Sequence, residues 1–267
     1  MYVVEPVNIE QRVKMIDLGD YNTIPVEVSL VVRDFADRLS LKSELIQDEP
    51  PSSDIDVRVQ LEEYISPVKV PELYATIANI LDQEEILCYH ATKVLSAKKI
   101  KNEGLRINAW EQYSNNVKEA LELAGVSTAE IEETLQLIKL EKKRKEPNGR
   151  DRLCYFSNLL DFKINGPGYY QFCQNVGGEL ARWALEDYMP DVYKILRDSG
   201  ERVLVKFSLP FNWIERFEKD DIITLFIYHE VASYLWNYSY DIEFDGNLFR
   251  VVPASSIISI IKVEADL

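Results

Sequence analysis

Three cysteines and two histidines in 267 residues leave little material for a metal centre. Cys88, Cys154 and Cys173 are odd in number, lack a metal-like spacing and sit among apolar neighbours. That pattern fits reduced, buried thiols and not a disulfide framework. Long apolar runs are missing too. No stretch approaches the roughly 18 residues that a spanning helix needs. The N-terminal residues also lack the basic and then apolar order of a signal peptide. These absences predict a cytoplasmic chain with no metal and no membrane partner. Positive charge is scarce: 30 Lys and Arg stand against 45 Asp and Glu, a formal net charge of −15. Wholesale wrapping of a nucleic-acid backbone needs an excess of cations to displace counterions, so it is excluded, as is adhesion to anionic lipid. A small basic groove on an acidic body remains open. No GxGxxG, P-loop, GxSxG or HExxH motif occurs, which removes the common nucleotide, hydrolase and zinc-protease readings.

What is present describes an ordinary folded protein, with 46% hydrophobic and 28% charged residues and enough length for a substantial core. Residues 1–70 read as an N-terminal α/β extension of unknown role. In it Val26, Val28, Leu30 and Val32, and then Ile55, Val57, Val59 and Leu61, follow the period of two expected of strands. From Pro71 a helical interval takes over through Leu73, Ile77 and Leu81. Ile86–His90 reads as a short buried strand. Two helices then form an insertion over about residues 111–147. Gly125 stops the first, and Ser127 with Glu130 makes a capping box for the second. Leu153–Ser157 reads as another strand, and a helix follows with Val176, Leu180, Trp183 and Ala184 inward. Residues 202–209, 222–228, 248–252 and 257–263 read as strands. The expected class is α+β, a split antiparallel sheet with inserted helices over residues 71–267.

His90 is the residue best placed for chemistry. It stands at the end of an apolar strand in Tyr89-His90-Ala91-Thr92, where an imidazole can face a cleft. The alternative is a core histidine bonded to main chain. Three weaker candidates each have a structural alternative that residue type favours. Gly177-Gly178-Glu179 can bring free amides to a phosphate, or pack a helix closely. Lys142–Lys145 can touch RNA, or close a helix against its dipole. Tyr228, Tyr234, Trp236, Tyr238 and Tyr240 can form an acceptor surface, or a strand pair at the core edge.

The order of these pieces carries more than any one of them. A strand ending Tyr89-His90-x-Thr92, a helix ending Gly104-Leu105 and a later strand ending Tyr155-Phe156-Ser157 resemble the ADP-ribosyltransferase fold. The closer likeness is to its diphtheria-toxin-like branch, which includes poly-ADP-ribose polymerases and rifampin ADP-ribosyltransferases and carries a His-Tyr-Glu set on three strands. The resemblance covers roughly residues 84–267. It implies that NAD is the substrate, with His90 bonding the ribose next to nicotinamide. It implies main-chain groups at Ala91 on the carboxamide and the Thr92 hydroxyl holding the molecule. Ala91 stands where the family often has glycine, which requires a negative φ here. Tyr155 matches the tyrosine that stacks on nicotinamide, with Ser157 in the pocket wall, and Tyr169 and Tyr170 stand where a second tyrosine covers the other face. Glu243 fits the catalytic acid best; Asp245 and then Glu230 are the alternatives.

The chemistry implied is consistent with these residue types. Nicotinamide leaves as its ring loses positive charge while C1′ of the ribose gains it. Aromatic faces suit the cationic ring, and a carboxylate suits the developing oxocarbenium centre. The expected function is mono-ADP-ribosylation of a cytosolic macromolecule, protein or nucleic acid, in a toxin or phage-defence setting, where an antitoxin or inhibitor protein is a natural partner. Two alternatives stand beside it: an RNA 2′-phosphotransferase, and a non-catalytic acidic binding or inhibitor module on a degenerate transferase fold. NAD brings two negative charges, so its pocket must be neutral or positive inside an acidic chain. Lys93, Lys98, Lys99, Lys101 and Arg106, just after His90, are the expected source.

Overall fold

The computed structural model describes residues 15–38, 51–107, 109–145, 152–156, 173–242 and 244–263. These residues form an α+β fold on one mixed, mostly antiparallel sheet of six strands. Its centre is β2 (Glu85–Val94), because both of its edges are used. On one edge β4 (Glu201–Pro210) pairs antiparallel along the whole length, from Glu85 opposite Pro210 to Val94 opposite Glu201. The other edge is divided. The short parallel β1 (Met15–Ile16) lies beside Glu85 and Ile86, and the antiparallel β3 (Leu153–Phe156) meets it at Tyr89 and Phe156. Beyond β3 comes β5 (Asp245–Leu248), and beyond β4 comes β6 (Ile257–Lys262).

Alternation along β2 sends Ile86 and Cys88 to one face and Leu87, Tyr89 and Ala91 to the other. The first face carries the main core. There Val203, Val205 and Phe207 of β4 pack with Val28 and Val32 of α1 (Val26–Arg38), Val57 and Leu61 of α2 (Asp54–Glu62), Leu73 and Ile77 of α3 (Pro71–Leu81), and Ile222 and Phe226 of α9 (Arg216–Trp236). Segments from before residue 70 therefore share one core with the sheet. After β2 the chain makes α4 (Ala97–Glu103). A second core joins α5 (Trp110–Leu123), α6 (Thr128–Lys145), α7 (Gly178–Leu185) and α8 (Pro190–Asp198) through Val117, Leu121, Ile138, Leu185 and Leu196. The helix starting at Pro71 and the Ser127–Glu130 capping box form as the sequence implies. The Ser127 hydroxyl accepts from the Glu130 amide at 3.3 Å and donates to its carboxylate at 2.9 Å.

Three expected strands are helices. Val26–Val32 lies in α1, where Val28 and Val32 are buried while Val26 and Leu30 are exposed. Ile55–Leu61 lies in α2. There Val57 and Leu61, one turn apart, are buried, and Ile55 and Val59 stay 73% and 67% exposed. Residues 222–228 lie in the middle of α9, whose buried residues Ile222, Ile223, Phe226 and Ile227 recur at a helical interval within a mostly apolar run. The strand expected at 248–252 instead runs from Asp245 to Leu248. Val252 is left to bridge Leu105, each amide bonding the other's carbonyl at 2.8–2.9 Å. Gly104 makes that bridge possible: its φ is +80°, and a Cβ there would lie 2.0 Å from the Val252 carbonyl oxygen. Trp183 is not inward on its helix. The buried stripe of α7 is Ala181, Ala184 and Leu185.

Candidate functional site

Past the Tyr89–Phe156 pair the β2–β3 register sets His90 beside Tyr155, and the two side chains share the face that carries Cys88. Here a cleft of about 400 Å³ opens. Its floor is the end of β2 (His90–Ser96) with Cys154 and Tyr155 of β3 and Asp245–Asn247 of β5. One wall is α4 and the residues after it, with Lys99, Glu103 and Arg106. The other combines Tyr113, Asn116 and Glu119 of α5 with Gly177–Leu180 and Trp183 of α7.

His90 bridges the two floor strands through its side chain: Nδ1 lies 2.7 Å from the Cys154 carbonyl oxygen. A carbonyl only accepts, so Nδ1 carries the proton, and Nε2 of the neutral ring is a bare acceptor. The ring borders the cleft, but the protein packed around it lowers its pKa from 6.5 to about 4, against the opposing pull of the Cys154 carbonyl. At neutral pH the floor therefore offers a hydroxyl acceptor and not a cation. Thr92, two residues on, lies on the same face. Ala91 is on the opposite face, buried with Leu87, Tyr89 and Leu204. Asn237 is the one described non-glycine residue with positive φ, so Ala91 meets the backbone condition set for it.

Tyr155 sits deeper than a stacking role requires. It is 1% exposed, with its ring tilted against Phe244 and lying over Gly246, where a Cβ would stand 2.6 Å from the Tyr155 hydroxyl. Beneath it Glu218 of α9 is buried and accepts the Asn247 amide at 2.8 Å, which ties α9 to β5. Burial, then Cys88 and Glu218, push the Tyr155 phenol up, and burial raises the Glu218 carboxyl. The tyrosine face that would receive a flat ring is thus covered. Glu218 is a buried acid with no signal in the sequence, since it lies in a charged stretch, Glu215–Asp221, that reads as solvated surface.

Of the alternative acids, Asp245 begins β5 and lines the cleft. Glu230 does not line it. It is buried in α9, where it accepts from the Ser29 hydroxyl at 2.8 Å and pairs with Arg33 at 3.5 Å, so it anchors α1. Glu243, Ser157, Tyr169 and Tyr170 lie outside the described residues. The other histidine, His229, stacks on Tyr21 with ring centroids 3.5 Å apart and bonds the Tyr240 carbonyl at 2.8 Å, away from the cleft. Among the described residues no cluster of His, Cys, Asp and Glu stands ready to hold a metal ion. No described helix is long and apolar enough to cross a membrane.

The cleft is locally less acidic than the chain. Lys93, Lys99, Lys145, Arg106 and Arg152 line it against Glu103, Glu119, Glu179 and Asp245, whereas Lys98 and Lys101 do not. Not every cation is free for a ligand. Lys93 is buried and its ammonium donates to the main-chain carbonyls of Arg197 and Gln174. Arg106 pairs with Glu103 at 3.0 Å. Lys99 is exposed and reaches across to Asn116 of α5 at 3.4 Å. The positive-φ glycines 177 and 178 start α7 at the cleft, and the Tyr113 hydroxyl donates to the Gly177 carbonyl at 2.7 Å. Comparison with known protein families, with characterised proteins and with solved structures gives no match for this chain.

Proposed function

We propose that this chain binds NAD in the cleft at the end of β2 and transfers its ADP-ribose to a macromolecule, on a sheet of the ADP-ribosyltransferase kind. One observation carries the reading: His90 and Thr92 of β2 and Asp245 of β5, far along the sequence from them, border one cleft of nucleotide scale whose described lining is far less acidic than the chain. The Nε2 acceptor of His90 suits a ribose hydroxyl, and the Thr92 hydroxyl beside it can hold the same sugar. In the transfer the bond from C1′ to the nicotinamide nitrogen breaks with its electron pair going to nicotinamide. A nucleophilic oxygen or nitrogen of the acceptor bonds C1′ and gives up its proton to water. On the motif match Glu243 is the carboxylate that would stabilise positive charge on the sugar; Asp245 lines the cleft and is the alternative, although its register opposite Phe156 sets it on the other face of the sheet from His90.

The covered ring of Tyr155 favours a second reading, in which the cleft binds a nucleotide without turning it over. Incubation with NAD labelled in the adenylate part separates the two. Transfer predicts released nicotinamide and a labelled macromolecule, with rates roughly a hundredfold lower in His90→Ala and in the variant of the acting acid. Equal tests of Asp245→Ala and Glu243→Ala assign that acid. Binding of NAD with no nicotinamide released selects the binding module.

A further inference from the structure

Among the described residues two tyrosines and one tryptophan line the cleft, and they differ in one respect. Tyr113 and Tyr155 are buried, while Trp183 is 42% exposed. Tryptophan is seldom left so open, because its ring forfeits more apolar burial than any other side chain. Trp183 is not merely a misplaced core residue. Ala181, Ala184 and Leu185 already supply the buried stripe of α7, and Trp183 lies beside it with Glu179, one turn earlier, also lining the cleft. The ring has a neighbour of a telling kind. The ammonium of Lys145, the last residue of α6, stands 4.4 Å from its centroid, a cation–π distance. An open indole held next to a cation in a nucleotide-sized cleft is suited to a flat ring that carries phosphate.

We propose that Trp183 is the stacking platform for the purine base of a bound nucleotide, with Lys145 beside it for the adjoining phosphate. Resting on the functional reading above, this base is the adenine of NAD, and the nicotinamide ribose lies at His90. Stacking on an aromatic side chain is tolerant of base identity, so adenylate alone should occupy the subsite. The arrangement separates recognition from chemistry: α7 and the end of α6 hold the adenylate half, and the sheet holds the half that reacts.

Titration of the protein with AMP, ADP-ribose and nicotinamide mononucleotide, read by tryptophan emission and by calorimetry, tests this. AMP and ADP-ribose should bind and quench emission, while nicotinamide mononucleotide should leave it unchanged. Trp183→Leu should abolish the quench and weaken ADP-ribose roughly tenfold, without altering the affinity for nicotinamide mononucleotide. Trp183→Phe, which keeps an aromatic face and guards against a folding defect in the leucine variant, should recover most of that loss. The proposal is overturned if AMP does not bind the wild type. It also fails if both variants bind ADP-ribose like the wild type, or if nicotinamide mononucleotide weakens as much as ADP-ribose. Nicotinamide release from NAD is scored separately. Release with no dependence of affinity on Trp183 removes the platform and keeps the transferase. Trp183-dependent binding without release does the reverse.

Discussion

The imidazole of His90 is a pH-sensitive part of the cleft whose sign can be worked out. Burial lowers its pKa from 6.5 to about 4, so the fold favours the neutral ring. Between those two values an unfolded chain takes up a proton that the folded chain refuses. On this residue's account, stability is complete above pH 6.5 and falls as the pH drops toward 4. Glu218 works in the opposite direction: burial raises its carboxyl above 4.5, so the folded chain protonates first and gains stability as the pH falls toward 4.5. A thermal scan would therefore mix both effects, whereas NMR of the ring isolates one. The His90 ring signals should stay put from about pH 8 to about pH 5, where an ordinary histidine would have titrated. NAD binding should be flat over the same range and weaken toward pH 4, as protonation of Nε2 removes the acceptor. A His90 midpoint near 6.5 would mean that the ring is open to water, and the acceptor role at neutral pH would be lost.

At the scale of elements, side-chain periodicity misleads where a helix carries surplus apolar residues. Val26, Val28, Leu30 and Val32 alternate as a strand would, and β-branching reinforces that reading. Packing settles it otherwise, because only Val28 and Val32 reach α3 and α9 while Leu30 stays exposed. The two arrangements differ in a measurable way. On a strand Val28, Leu30 and Val32 share one face, so truncating any of them costs alike. In α1, Val32→Ala should destabilise by about 2 kcal/mol, and Leu30→Ala should change stability by less than about 0.5 kcal/mol. Urea unfolding reads both, and equal losses would sink the helical register. The candidate site divides along the same line. His90, Thr92 and Tyr155 are legible because each belongs to a short apolar strand with a polar end, a local pattern. Asn116, Glu119, Trp183 and Glu218 are not, since helices bring them to or beneath the cleft through packing between segments distant in sequence.

For the whole molecule, the opposition between net charge and cleft charge decides how binding responds to salt. The −15 body repels a dianionic nucleotide at long range, and the cations of the cleft attract it at short range. At about 0.1 M salt the screening length is about 10 Å, so added salt removes the distant repulsion before the contact attraction. In the wild type the two changes oppose each other, and ADP-ribose affinity should vary little with ionic strength. Lys99 is the residue through which to break that balance. Its contact with Asn116 across the cleft is long and its side chain is exposed, so exchanging its charge disturbs packing little. Lys99→Glu puts repulsion at contact range as well, and affinity should fall roughly tenfold at low salt. It should then recover as salt rises, because the described lining would carry more acids than bases and repulsion would outweigh the attraction left from residues such as Lys145. Calorimetric titration at a few salt concentrations checks both slopes. A wild-type affinity that drops steeply with salt would show that contact attraction dominates and the acidic body does not reach the cleft. A Lys99→Glu variant with wild-type affinity would place the phosphates away from α4 altogether, along the α6 and α7 wall where Lys145 stands.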